Sequence, residues 1–223
     1  AQHPRRPLRT SEGDSFDELL FSIIALLRRN EDVIRQSQPR TRFNRCGYLM
    51  HDVLSADHID LARLLVGSEG TLGIFTEATL RTVPLPVGRG LVMLGFPSLD
   101  AAIRAAQLTV PSGPSACELI DRRLLSLARG ADTDLAPLVS SNAEAVLLVE
   151  YESEDEAGAR KEINDLVERL ERSERLALFA VPAFATEEID RLWRLRESAL
   201  PSLYGMRGGV QPVAFVEDVG VPL

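Results

Sequence analysis

The sequence predicts an α+β protein, on three observations. From residue 91 onward, short apolar runs of strand length alternate with amphipathic stretches of helix length. The segment VPLPVGRG, residues 83–90, puts two prolines and two glycines into eight positions and breaks regular pairing on both sides. This divides the chain into residues 1–86 and 87–223. No turn after that break carries a phosphate-binding signature, so the alternation reads as a sheet with helices packed on one face rather than a doubly wound fold.

Taken in order, TSEGDSFDELLFSIIALLRRNEDVIRQS predicts a helix. Asp14 or Ser15 stands at its N-cap, acidic residues fill the first turn, and Phe16, Leu19, Leu20, Ile23, Ile24 and Leu27 share one face. A basic, irregular stretch follows, with Arg40, Arg42 and Arg45 close together. ADHIDLARLL is a short helical segment leading into a glycine-rich turn. Beyond the break, LVMLGF, SACELI, EAVLLVEYE, LALFAVPA and PVAFVEDVGV predict five strands. The helices between them are SLDAAIRAAQLT capped by Ser98, DRRLLSLAR capped by Asp121, the charged SEDEAGARKEINDLVERLER, and TEEIDRLWRLRESAL capped by Thr186. The run YESEDEAGARKE is mixed in sign and helical in period, as on a solvated helix face.

The turn itself, GSEGTLGI, spaces Gly67, Gly70 and Gly73 by three. A dinucleotide fingerprint needs G-x-G-x-x-G opening a helix. Here the following residues alternate instead, Ile74, Thr76, Ala78 and Leu80 against Phe75, Glu77, Thr79 and Arg81, which predicts a strand ending at Pro84 and Pro86. Glycines before a strand let backbone approach something flat or bulky, or merely serve the turns of a loop. On spacing alone both readings stand.

Composition excludes several classes. A formal net charge of -8 argues against nucleic acid as a partner, because phosphate binding needs a basic footprint. Cys46 and Cys117 lack a CxxC spacing, and His3, His51 and His58 form no ligand pattern, so no metal site is predicted. The longest apolar run, around residues 19–27, is too short for a membrane span. The opening AQHPRRPLRT has no apolar core behind its basic residues, which predicts a cytoplasmic protein, and the first residue is not methionine, which suggests a fragment.

NRCGYL, DLARLLVGSEGTLGIFTEATLRTVPLP, ACELIDRRLL, LLVEYE, LWRLRESALPSL and VEDVGVPL, in that order, resemble the FAD-linked oxidases of the vanillyl-alcohol oxidase type. Within them the likeness is to the D-lactate, glycolate and D-2-hydroxyglutarate dehydrogenase branch, and it covers the chain from about residue 42 to 223. The N-terminal helix and arginine segment resemble larger members with an added iron–sulfur region. The resemblance implies that residues 1–86 belong to the second part of a PCMH-type FAD-binding domain. Residues 87–223 would be a truncated cap or substrate domain with an antiparallel sheet.

It further implies FAD as cofactor, with Gly67, Glu69, Gly70, Thr71, Gly73 and Ile74 close to it and Gly47 and Tyr48 matching a Gly-Tyr that precedes the turn. For Tyr48, a packed aromatic with a satisfied hydroxyl is an equal reading. Arg196 matches a cap arginine that meets the substrate carboxylate, a task suited to the bidentate guanidinium fork. Arg191 and Arg194 share its helix, and Trp193 reads as core. Val216 stands where hydroxyglutarate-type members carry a lysine, and Glu217 and Asp218 have no required acid–base role. The pyrophosphate-binding glycine loop and a histidine-containing segment of the branch are not found in the sequence.

The expected function is therefore that of a central piece of an FAD-dependent enzyme oxidising a D-2-hydroxy acid by hydride transfer to flavin. The piece alone is expected to be inactive, its electron acceptor and catalytic base unassigned. Two alternatives come from other classes: a non-catalytic module that homo-oligomerises or docks a partner through the second half, and a different flavin chemistry, such as phenol oxidation or ether-lipid synthesis, on the same scaffold.

Overall fold

A computed structural model describes residues 14–38, 47–131 and 142–197. The chain divides into two units, with the border between Leu80 and Arg81.

In the first unit α1 (Asp14–Arg29) and α2 (Glu31–Gln36) replace the single helix expected. The break falls at Asn30, whose side-chain amide donates to the Leu26 carbonyl at 2.8 Å and so competes with the helical backbone for that acceptor. The short α3 (Leu61–Leu65) is capped by Asp60, which accepts from the Arg63 N–H at 3.0 Å. An isolated bridge, Leu54 to Ile59, ties the loop before it.

The strand expected after the glycine turn is not formed. Residues 73–86 have no regular secondary structure, and Ile74 and Leu80 are 93% and 82% exposed. Alternation supplies two faces, but a strand also needs a neighbouring edge for its N–H and C=O groups. Among the described residues no strand pairs with this segment.

The second unit is built on a four-stranded antiparallel sheet: β1 (Gly88–Phe96), β2 (Ala116–Asp121), β3 (Ala145–Ser153) and β4 (Phe179–Ala183), in the order β2-β3-β1-β4. The central strands pair along nine positions, from Gly88↔Ser153 to Phe96↔Ala145. The α+β class and antiparallel pairing are those predicted. The fifth predicted strand, in residues 212–221, lies outside the described residues, as do Arg40, Arg42, Arg45, Val216, Glu217 and Asp218.

The helices divide between both faces, which corrects the one-face expectation. β1 runs parallel to β2 and β3 parallel to β4, each pair linked by a crossover helix: α4 (Leu99–Thr109) and α6 (Glu156–Val167). The two crossovers run in opposite directions across the sheet from oppositely directed strands, so the same handedness puts both helices on one side. There Ala102, Ala105, Ile163 and Leu166 pack on Val92, Leu94, Leu147 and Val149. Outside those crossovers, α5 (Arg122–Ala131) and α7 (Thr186–Glu197) take the other face, where Leu125, Ile189, Leu192 and Leu195 meet Leu91, Met93, Ile120 and Leu148.

Caps follow the sequence at Ser98, which accepts from Ala101 N–H, and at Asp121, which accepts from Leu124 N–H. At α7 they do not. Thr186 is the first helical residue, and the Glu188 carboxylate accepts from the Phe184 and Ala185 N–H groups, each at 3.2 Å. α6 ends in a π-helical turn over Glu168–Ser173.

Candidate functional site

The glycine turn of the first unit is held from below. Thr71 Oγ1 donates to the Ser68 carbonyl at 2.6 Å, and Tyr48 Oη lies 2.8 Å from the same Thr71 oxygen. The threonine's one hydroxyl proton is committed to Ser68, so Tyr48 is the donor to Thr71. Gly67 and Gly70 have φ of +78° and +77°, and Glu69 between them is also left-handed at +48°. Two glycines therefore do what Cβ-bearing residues do at a cost, and Glu69 carries some of that cost itself.

Open space lies against the turn: a Cβ added at Gly67, Gly70 or Gly73 would meet nothing within 4 Å. Leu72 and Ile74 are exposed beside it, and Ser68 Oγ is buried without a hydrogen-bond partner among the described residues. An open backbone turn, exposed apolar side chains and one unsatisfied hydroxyl fit a flat, partly polar group such as a flavin nucleotide. Gly47, also at positive φ, precedes Tyr48. The structure thus brings Tyr48 and Thr71 into contact, while Ile74 and Glu69 stand exposed and apart from that hydrogen bond.

A separate hollow of about 430 Å³ in the same unit is lined by Arg28, Glu31, Arg35, Met50 and His51 among others, and by none of the predicted cofactor residues. Arg35 there is matched by Glu31 at 2.8 Å and Asp32 at 3.7 Å, which leaves little net attraction for an anion.

In the second unit, Arg196 sits near the end of α7, about half exposed, with its Nε 3.5 Å from Glu118 Oε2 on β2. Among the described residues Nη1 and Nη2 of Arg196 have no partner, and a guanidinium fork of this kind suits a carboxylate. The sequence reading missed what lies beneath. Glu150 on β3 is 5% exposed and carries a charge in the apolar face formed by Leu91, Met93 and Leu148. Its Oε2 accepts from Arg89 Nη2 at 2.7 Å and from Trp193 Nε1 at 3.0 Å, and the Ser115 hydroxyl is shared between the Glu150 main-chain carbonyl at 3.0 Å and Oε1 at 3.2 Å. A signal was present: in LLVEYE, Glu150 has the same parity as the inward Leu148.

Cys117, on the opposite face of β2, has its thiol pushed up to about 11 by burial and, less, by the Glu118 charge. Burial likewise raises Tyr151, partly offset by its hydrogen bond with Ser112. Neither is tuned as a nucleophile or base. Among the described residues no helix is long and apolar enough to cross a membrane.

The chain is 29% identical to a D-2-hydroxyglutarate dehydrogenase of Pantoea ananatis, over 96% of its own length and 22% of that protein. It is 32% identical to the mitochondrial cytochrome D-lactate dehydrogenase of Arabidopsis thaliana, covering 87% of this chain and 31% of the relative. It is 31% identical to the glycolate oxidase subunit GlcD of Bacillus subtilis, covering 86% and 37%. The chain thus spans about a fifth to just over a third of the length of these relatives. A solved alkyldihydroxyacetonephosphate synthase aligns over 68% of this chain and 30% of its own, at 19% identity and a TM-score of 0.45. Residues 85–223 match the model of the C-terminal domain of FAD linked oxidases, and the chain belongs to that family.

Proposed function

We infer that the protein containing this chain is an FAD-dependent dehydrogenase or oxidase of a small D-2-hydroxy acid of the lactate, glycolate or hydroxyglutarate type. The observation that carries the reading is Arg196: a half-exposed guanidinium on α7, facing one carboxylate through Nε, with two amino groups that have no partner among the described residues. The relatives' names, which cover hydroxyglutarate, lactate and glycolate, support the substrate class.

FAD, when bound, supplies the acceptor for the hydride that leaves the substrate Cα. Gly67, Gly70 and Gly73 would let backbone close against it, with Gly47, Glu69 and Ile74 as further contacts. Tyr48 and Thr71 would act by keeping the turn rigid. Arg196 binds the substrate carboxylate in a fork, which fixes the direction of the Cα–H bond. Glu118 holds the guanidinium from the side the substrate does not use. No residue of the chain is assigned to the hydroxyl proton.

A cytoplasmic location, a homo-oligomeric state and an external electron acceptor belong to the same proposal. Two cysteines in 223 residues, with Cys117 a free thiol, accord with a reducing compartment. A second reading, a docking or oligomerisation module, is favoured by the exposed apolar side chains of Ile74, Leu80, Val83, Leu85 and Val87.

Titration of the full protein with FAD, followed by flavin bleaching over D-lactate, glycolate and D-2-hydroxyglutarate, tests the reading. Retained FAD bleached by one of these acids supports it. A protein that neither holds FAD nor reacts would leave the docking module.

A further inference from the structure

We propose that Glu150 is a positioning residue of the substrate site, acting on Arg196 through Trp193. The inference rests on the reading of Arg196 given above and adds a residue to that site. α7 meets the sheet through Ile189, Leu192 and Leu195, contacts that are apolar and non-directional. Such contacts hold a helix against a sheet but set its rotation and axial position loosely. Two polar contacts add direction, one a hydrogen bond and one an ion pair. Trp193 donates to Glu150 at 3.0 Å, and three residues later Arg196 pairs with Glu118 at 3.5 Å.

The spacing is matched on both sides. Residues three apart on a helix lie on one face, about 4.5 Å along the axis. On the sheet, Glu150 is opposite Ala116 and Glu118 is opposite Leu148, so the two acids stand diagonally on adjacent strands of one face. A turn of helix therefore spans two neighbouring carboxylates.

A role confined to stability explains Glu150 poorly. Burying a carboxylate costs several kcal/mol before its partners offset it, and a well-packed apolar side chain often does as well or better in such a place. Here the charge is neutralised by Arg89, and Ser115 binds the Glu150 main-chain carbonyl through its N–H at 2.8 Å, its hydroxyl lying 3.0 Å from that carbonyl and 3.2 Å from Oε1. What this arrangement provides and an aliphatic residue would not is a directional acceptor for the indole. The indole then fixes the turn that carries Arg196.

The test uses the full protein saturated with FAD, in variants Glu150→Gln, Trp193→Phe and Arg196→Met, with the hydroxy acid among D-lactate, glycolate and D-2-hydroxyglutarate that reduces it best. The expected result is a KM for that acid raised about tenfold by Glu150→Gln, with kcat changed less than about threefold. Trp193→Phe, which removes the N–H donor together with part of the ring that packs on the core, is expected to act in the same direction. A purely structural role would lower Tm and the amount of active enzyme and leave the KM of what survives unchanged, and that result overturns the proposal. If Glu150→Gln does not fold, Trp193→Phe decides, an unchanged KM overturning it. An unchanged KM in Arg196→Met overturns the Arg196 reading and this inference with it. A raised KM there beside an unchanged KM in the other two overturns this inference alone.

Discussion

The ring of Phe179 covers Gly95, its partner across β1 and β4, so closely that a Cβ at Gly95 would lie 2.1 Å from Cε1 of the ring. Gly88, at the other end of β1, is closed off by backbone instead: its Cβ would stand 1.9 Å from the Asp155 carbonyl oxygen. A ring at the end of a side chain can turn aside, whereas the N-terminus of α6 cannot move without unseating the helix. Gly95→Ala is therefore expected to cost about 1–3 kcal/mol and Gly88→Ala about 3 kcal/mol or more. Urea midpoints of the full chain check the order, and equal losses would contradict it.

Glu188 titrates below its ordinary value of 4.5 because the Phe184 and Ala185 N–H groups bind its ionised form. A carboxylate lowered on folding contributes stability that is whole above the unfolded pKa and is lost as pH falls through the folded one. Glu188→Gln is thus expected to be less stable than the parent chain near neutrality, with the two converging as the pH falls below the ordinary carboxylate value and through the lowered one. A gap that stays constant with pH would show that the charge is not involved.

The Cys117 thiol, raised to about 11, is expected to resist disulfide reagents near neutrality while the chain is folded and to react once urea exposes it. Thiol titration in a Cys46→Ala background isolates the group. Rapid labelling of the folded chain would mean that β2 opens readily.

Loss of the Tyr48 hydroxyl in Tyr48→Phe is expected to cost no more than about 1 kcal/mol, since the bond to Thr71 lies at an exposed position. Thr71→Val removes the donor to Ser68 as well and is expected to cost more. FAD retention by the full protein distinguishes the roles: a drop in Thr71→Val larger than in Tyr48→Phe places the turn, rather than the phenol, at the cofactor.

Local rules made much of this fold legible. The apolar runs of β1 and β3 read as strands because both of their faces are buried, and Ser98 and Asp121 read as caps because each serves an N–H three residues ahead. Three features were hidden for different physical reasons. The side of the sheet a helix takes depends on crossover handedness and strand order, which no single segment encodes. The indole–carboxylate bond joins residues 43 apart and exists only once β3 and α7 are placed. Residues 74–81 have a strand's pattern, yet pattern without a neighbouring edge does not make a strand.

That last segment also has a kinetic consequence. A protease active site takes up an extended stretch of several residues, so a cut inside a helix or a central strand waits on local unfolding, while one in an already open run does not. Arg81 lies in such a run, between exposed Leu80 and Thr82, whereas Arg160 lies in α6 and Arg89 in β1. Trypsin is therefore expected to cleave after Arg81 well before it cuts within α6 or β1. The same segment would become protected, and the cut slow, in any state where a neighbouring edge takes up its backbone.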